Sequence, residues 1–410
     1  MQIPRINLKN TLIFILIIFS IAAFFRHKDR VRIRQYSDFH CYYVAGQRMS
    51  ARENIYVLHD KKVSEFRYSP FFALAMAELS RFNEDTADTI WYLINFSLLI
   101  ISFICLHKMI IRPKLSFNRM FWLYFILFAL SGRFIFHTFD SGQANILILA
   151  SITTGLYYIF QKKEIRGGFI LALSIMIKYT PLIFIPYFLL KKRFKLALVM
   201  IAALFLYYLL PSLFIGHKTN VNYIKDSVSF LGKSTILDKK TIYDHENQSL
   251  LSTIYRFTTD CKPYFIAPDM PFKSANLSDS AIKWLFLALI TAMLILILYR
   301  SIDLLDWAQL TVCLILFNLN AWQYNFMLLT FGYFLAAYYL IRVNFKDAGI
   351  LTLLIASHIL NLFTVKGFIN KTFSYNAHFY SPHLFSALLV FFILLKLKTY
   401  PRNKTFRIQP

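Results

Sequence analysis

Charge is scarce in this sequence, and acidic charge is scarcest. Asp, Glu, Lys and Arg make up 16% of the 410 residues, with 21 acidic side chains against 45 basic ones. Soluble domains carry about a quarter charged residues. So little charge cannot clothe a water-exposed surface around a chain that is 57% hydrophobic, which argues against a soluble multi-domain protein. Cysteine is scarce too, with four in all. Cys105 and Cys313 lie inside apolar runs and read as core thiols. Cys41 and Cys261 fall in polar connections, where a disulfide is an option that spacing alone does not fix. No Walker motif, GxGxxG fingerprint, HExxH pair or nucleophile elbow occurs. Nor does a zinc-finger or RNA-binding signature accompany the net charge of +24. The basic residues gather instead in short clusters between apolar runs, so no nucleic-acid partner is expected.

The apolar runs fall near 11–25, 91–107, 120–136, 144–160, 168–190, 195–215, 281–299, 305–320, 324–341, 347–365 and 383–397. A span needs about 20 apolar residues, or fewer with polar anchors. The chain is therefore expected to be an all-α polytopic membrane protein, a single domain over 1–410 with about 11–13 crossing helices. The 43 Phe and 25 Tyr suit acyl-chain and interfacial contact. A run at 71–79 is too short to span and should re-enter or lie at the interface. The first run follows Arg5 and Lys9 and continues into Phe24 and Phe25. It reads as an uncleaved signal-anchor helix rather than a removed secretory signal.

Short basic connections set the orientation. They lie at 108–119, 162–166, 191–195, 342–346 and in the tail at 398–410. Assigning them to the cytoplasm puts both termini inside a cytoplasmic (inner) membrane. The outer side then carries large loops at 26–90 and 216–280, with short ones at 137–143, 321–323 and 366–382. The cluster Arg26, Lys28, Arg30, Arg32 and Arg34 falls outside in this arrangement, against the simple rule. Long loops translocate with less regard to charge. The run 168–190 lies between two basic clusters that both belong inside. With Lys178 and Pro181 at its middle, it is expected to be a broken helical hairpin turning at Lys178-Tyr179-Thr180-Pro181. Irregular backbone at such depth lines a cavity.

Five places carry candidate chemistry, each with a plainer alternative. Asp38 can cap the helix after it or act as a general base at the membrane surface. Tyr68-Ser69-Pro70 closes the same loop. Gln143 and Asn145 follow Asp140-Ser141-Gly142, either as a capped turn or as the mouth of a cavity. Lys178 sits at a depth where an unpaired lysine costs about 3 kcal/mol; it is either satisfied by buried partners or holds a lipid phosphate. His245, Asn247 and Gln248, with Arg256 beyond, form either a solvated turn or a set of sugar and phosphate contacts. His245 has no second ligand at metal spacing, so no metal site is expected. Trp322, among Asn318, Asn320, Gln323, Tyr324 and Asn325, is either a belt aromatic or part of the site. All five places map to the outer half of the membrane, and the cytoplasmic halves of the helices are bland. A transporter or flippase would usually place polar residues in both halves.

The ordered set resembles glycosyltransferase family 87, polytopic enzymes of the GT-C superfamily related to polyprenyl-phosphate-mannose-dependent α-1,2-mannosyltransferases. The resemblance runs over about 36–341. It is carried by Asp38-Phe39 with Tyr43 and Tyr56, Tyr68-Ser69-Pro70, Ser141-Gly142-Gln143-Ala144-Asn145, and Lys178-Tyr179-Thr180-Pro181 after a small-residue helix. Lys191-Lys192-Arg193 and Asn247-Gln248-Ser249 with Arg256 complete it. It implies a GT-C fold with the active site at the outer face and Asp38 as general base. It also implies a polyprenyl-phosphate sugar as donor, mannose by default, and a glycan or glycolipid acceptor beside the lipid bilayer. Lys178 and Arg256 are then candidates for the donor phosphate. Tyr68, Gln143, Asn145, His245, Asn247, Gln248 and Trp322 are candidates for substrate contact. No cofactor and no metal are expected, because a monophosphate leaving group needs a divalent ion less than a diphosphate does. One departure is plain: family members often carry a histidine near the later Trp, and the stretch around Trp322 has none. A transporter of lipid-linked sugars and a non-catalytic scaffold are the rival readings, separated from the enzyme by release of polyprenyl phosphate.

Overall fold

Side-chain caps set many of the helix starts. Ser69, Asn83, Ser116, Ser249, Ser278 and Asp347 each accept a hydrogen bond from the backbone N–H three residues on. This satisfies a donor that the first turn leaves orphaned. The computed structural model describes residues 24–29, 38–56, 66–111, 115–234, 239–260, 275–365 and 370–400. Among them every regular element is helical. In chain order the helices of seven or more residues are α1 (Asp38–Ala51), α2 (Pro70–Leu79), α3 (Glu84–Ile110), α4 (Phe117–Ser141), α5 (Asn145–Phe160), α6 (Glu164–Ile177), α7 (Phe184–Leu190) and α8 (Phe194–Leu209). Then follow α9 (His217–Ser234), α10 (Leu250–Thr258), α11 (Asp279–Leu298), α12 (Asp303–Leu316), α13 (Thr330–Arg342), α14 (Ala348–Leu362), α15 (Lys371–Phe379) and α16 (Pro382–Thr399). Two 3₁₀ segments, Thr180–Ile183 and Gln323–Leu329, lead into α7 and α13.

Six helices among the described residues are long and apolar enough to cross a bilayer, and Pro70–Leu79, Asn145–Phe160, Thr180–Leu190 and Ala348–Leu362 are shorter apolar ones. The chain is thus an all-α polytopic membrane protein. Full-length spans are fewer than apolar runs because hydropathy does not separate lipid contact from protein contact. The most apolar window of Phe194–Ile215 or Asp279–Leu298 is only 22% buried, whereas that of Gln323–Arg342 is 89% buried. The first two face lipid, and the last is the middle of the bundle. Helix α5 is buried along most of its length, so protein rather than headgroups meets its ends and it need not match the bilayer. The signal-anchor run lies almost wholly outside the described residues.

Helix α6 stops at Ile177, where Lys178 turns extended with φ −136° and ψ 139°. The 3₁₀ segment and α7 then bring the chain back, for Arg193 just beyond α7 pairs with Glu164 at the start of α6 at 2.7 Å. The segment leaves one face and returns to it, with Lys178 about 21 Å away at 1.5 Å per residue along α6.

That face is stitched by polar contacts. Arg119 reaches Asn344 at 2.9 Å, and Tyr400 donates to Asp347 at 2.7 Å. Lys191 binds Ser301 at 2.6 Å. Beneath it, Lys398 and Asp306 form a fully buried ion pair at 2.6 Å. Tyr187 donates to the same carboxylate at 3.0 Å, and Lys398 also donates to the Ile297 carbonyl. These contacts lock α7, α12 and α16 together. The signal for this pair was a carboxylate inside an apolar run.

The opposite face holds the start of the basic cluster Arg26 to Arg34. In the helical stretch 24–29, Arg26 pairs with Asp140 at 3.0 Å, and Lys28 pairs with Asp85 and Asp88 at 2.9 and 3.1 Å. His27 lies buried between Asp88 and the Phe139 carbonyl. Local carboxylates, rather than the cytoplasm, accept this part of the charge. Arg30, Arg32, Arg34 and Cys261 lie outside the described residues, as does any pairing of Cys261 with Cys41.

Candidate active site

Asp38 is the first residue of α1 and half-buried, and the next residue, Phe39, is buried. One turn on, at a spacing that shares a helix face, Tyr42 meets Tyr68 hydroxyl to hydroxyl at 2.6 Å. Both hydroxyls reach Gln143 Oε1, at 3.2 and 3.3 Å. Burial, reinforced by neighbouring charges that include Asp38, pushes both phenols far above their usual range. Neither tyrosine can serve as a base, and both remain neutral hydrogen-bonding groups.

Gly142 holds this assembly in register. It ends α4 in the left-handed region at φ 65°, and a Cβ there would sit 2.7 Å from Phe39 Cβ. Its carbonyl accepts the Trp91 indole N–H at 2.9 Å. The absent side chain is what lets the Asp38-Phe39 start of α1 lie against the turn that delivers Gln143. Gly142→Ala is expected to cost about 1–2 kcal/mol from the left-handed backbone alone, with the clash added. It should lower the thermal unfolding temperature and the yield of folded protein together; an unchanged melting curve would remove the close approach from the argument.

Ser69 ties the same cluster to the break after α6. Its hydroxyl caps α2 and also donates to the Met176 carbonyl at 2.5 Å. Pro70 fits the first helical position, where its missing N–H costs nothing. Two residues past Met176, Lys178 donates to Asn145 Oδ1 at 2.9 Å and Asn325 Oδ1 at 3.0 Å. Its ammonium lies 5.4 Å from the centre of the Tyr324 ring. Asn145 in turn donates to Asn325 at 3.1 Å. Among the described residues no carboxylate lies within salt-bridge distance of Lys178, while the charge of Asp38 acts on both Lys178 and Tyr324. Neutral amides thus orient the ammonium, occupy two of its three donors and leave its charge uncancelled at contact range.

The structure therefore brings together Asp38, Tyr68, Gln143, Asn145 and Lys178. It does not bring Arg256 to them. Arg256 is 1% exposed. Its guanidinium donates to the carbonyls of Phe379, Asp244 and Asn247 and to the hydroxyls of Ser252 and Ser381. These donors are turned inward onto backbone carbonyls and hydroxyls, so in this structure Arg256 ties α10 to its surroundings. Asn247 and Gln248, both buried, bind the 318–321 loop in the same way. Asn247 donates to the Leu319 carbonyl and accepts from the Ala321 N–H at 3.0 Å, and the Gln248 N–H donates to the Ala321 carbonyl at 2.8 Å. His245 packs its ring 4.1 Å from that of Tyr375. Trp322, half-buried, opens the 3₁₀ segment, and its carbonyl accepts from the Asn325 N–H at 2.9 Å. This second assembly acts on the first through that loop, which carries Tyr324 and Asn325 to Lys178.

Sequence reasoning does not select Tyr42, and it names Tyr324 and Asn325 only as neighbours of Trp322 without giving them a role in the site. The first has a signal, its four-residue spacing from Asp38. The others depend on a fold that sets residues 145, 178 and 325 side by side. An imidazole also reaches the Trp322 hairpin from elsewhere, as the His137 ring lies 6.0 Å from that of Tyr324.

A family model described as glycosyltransferase family 87 matches residues 66–322. The match takes in Tyr68, Gln143, Asn145, Lys178, Asn247, Gln248, Arg256 and Trp322, and begins beyond Asp38. No curated protein and no solved structure matches the chain. The family match spans well over half of the 410 residues and agrees with the helical, membrane-spanning architecture, so the chain belongs to glycosyltransferase family 87 and is a membrane glycosyltransferase.

Proposed function

We propose that the chain transfers a hexose, mannose by family default, from a polyprenyl-phosphate donor to a hydroxyl of a lipid-linked or cell-envelope glycan. The transfer takes place at the outer face of the cytoplasmic membrane. In this reading both termini are cytoplasmic, and no metal or other cofactor takes part. One observation supports the reading: the Lys178 cation is held by the neutral amides of Asn145 and Asn325, within electrostatic reach of the Asp38 carboxylate. The two groups suit the two ends of a displacement. Asp38 accepts the proton of the acceptor hydroxyl. The acceptor oxygen forms its bond to the anomeric carbon from the face opposite the phosphate, and the carbon–oxygen bond to phosphate breaks. Its electron pair leaves on the phosphate oxygen, and configuration inverts. Lys178 stabilises the added negative charge on the departing polyprenyl phosphate. Asp38 then gives its proton to water. Tyr42, Tyr68 and Gln143 position Asp38's helix, and Asn145 and Asn325 aim the ammonium.

The test is purified protein with a panel of polyprenyl-phosphate sugars and glycan acceptors, reading release of polyprenyl phosphate. Release that depends on acceptor supports transfer, and silence across the panel favours a transporter or a scaffold. Lys178→Ala is expected to lower kcat/KM for the donor about 10–100-fold, the worth of one charge-assisted hydrogen bond. Unchanged donor kinetics in that variant would leave Lys178 a purely structural residue.

A further inference from the structure

At the far end of α6 from Lys178 lies a cavity of about 430 Å³ lined by Lys162, Lys163, Glu164, Ile165, Arg166 and Lys195. Four of these six are cations. The acid is already engaged, since Arg193 holds Glu164 through two nitrogens at 2.7 and 3.3 Å. None of the four cavity cations has a carboxylate within salt-bridge distance among the described residues. The cavity lies where α6 and α8 begin, and neither helix has a side-chain cap hydrogen bond at that end. The partial positive charges of two helix starts therefore add to four full ones. The site is thus built for an anion.

A second feature says where the anion comes from. From the cavity an apolar stripe runs down α8 through Phe194, Leu198, Ile201 and Phe205, at helical spacings of four, three and four. These side chains are 62%, 68%, 48% and 64% exposed. Ile165, in the cavity wall itself, is 55% exposed. A soluble anion has no use for such a track, and a lipid does. Charge above and an uncovered hydrocarbon surface below match a phosphate headgroup with its acyl chains, and basic pockets at helix ends on a membrane surface hold such headgroups. We propose that this cavity binds the phosphate headgroup of an anionic membrane phospholipid, with its chains along the Phe194–Phe205 stripe. The lipid would bridge both feet of the re-entrant segment, joining the start of α6 to the start of α8.

The experiment reads lipid retention and not sugar transfer, so its outcome is separate from that of the proposed activity. Full-length protein in neutral detergent is given phosphatidylglycerol or phosphatidylcholine, and bound lipid is counted by native mass spectrometry. Wild type should retain phosphatidylglycerol over phosphatidylcholine. Each of K162Q, K163Q, R166Q and K195Q should weaken that retention about fivefold. K283Q, an exposed lysine away from the cavity, should not. These single changes on exposed side chains keep the fold testable. Equal retention of the two lipids by wild type would overturn the site, as would an equal loss in K283Q. Displacement of phosphatidylglycerol by millimolar inorganic phosphate would also overturn it, leaving a site for free anions.

Discussion

Asp38→Asn is expected to lower the transfer rate by about 10²–10⁴-fold, the range that a positioned general base contributes. The variant separates two roles that one carboxylate can hold. Asparagine serves a helix start about as well as aspartate, so α1 and the close approach of Phe39 to Gly142 should persist. What asparagine cannot do is accept the acceptor's proton. Donor binding, measured by retention of a polyprenyl-phosphate sugar, should change little, and the loss should fall on turnover. Asp38→Ala would lose both roles and should add a drop in unfolding temperature. Full turnover in Asp38→Asn would take Asp38 out of the mechanism. Neither Tyr42 nor Tyr68 can stand in, because burial keeps both phenols protonated across any working pH.

Arg256→Leu should fail differently. The substitution keeps bulk in a site that is 1% exposed and removes every donor. The carbonyls of Phe379, Asp244 and Asn247 would be left without their guanidinium partner. Each orphaned buried group costs about 1–3 kcal/mol, so a loss of several kcal/mol is expected, seen as poor yield or a sharply lowered melting temperature. A phosphate ligand at a water-accessible site would behave otherwise, with normal stability and a raised KM for donor. A folded, stable Arg256→Leu protein with weak donor binding would return Arg256 to the active site. Lys178→Ala is the counterpart, since its two amide partners can bond to each other or to water.

Much of the fold was legible in residue order because bilayers and helix ends impose local rules. The apolar runs, the capping Ser and Asn residues, Pro70 at a helix start and Gly142 at a helix end all act within a few positions of themselves. The break at Lys178 was legible for the same reason, since a lysine and Pro181 interrupt an otherwise apolar run. Asp38, Tyr68, Gln143 and Asn145 stood out as polar groups near the membrane surface and Lys178 as a charge at depth, and these meet in space. Arg256, Asn247 and Gln248 stood out on the same ground and do not join them. A buried arginine bound to carbonyls and one waiting for phosphate look alike in sequence, because the difference lies in which backbone atoms surround the guanidinium.

The membrane class and the helical architecture were thus set by composition, periodicity and local caps. Three matters waited on the tertiary structure. Packing decided which apolar helices face lipid and which are interior, since hydropathy measures transfer out of water and not the identity of the new neighbour. Contacts between residues 57 to 114 positions apart decided that Arg26 sits against Asp140 and Lys28 against Asp85 and Asp88. Finally, only the meeting of residues 145, 178 and 325 showed a lysine held by amides rather than neutralised by an acid. Charge cancellation depends on distance in space, and distance along the chain does not report it.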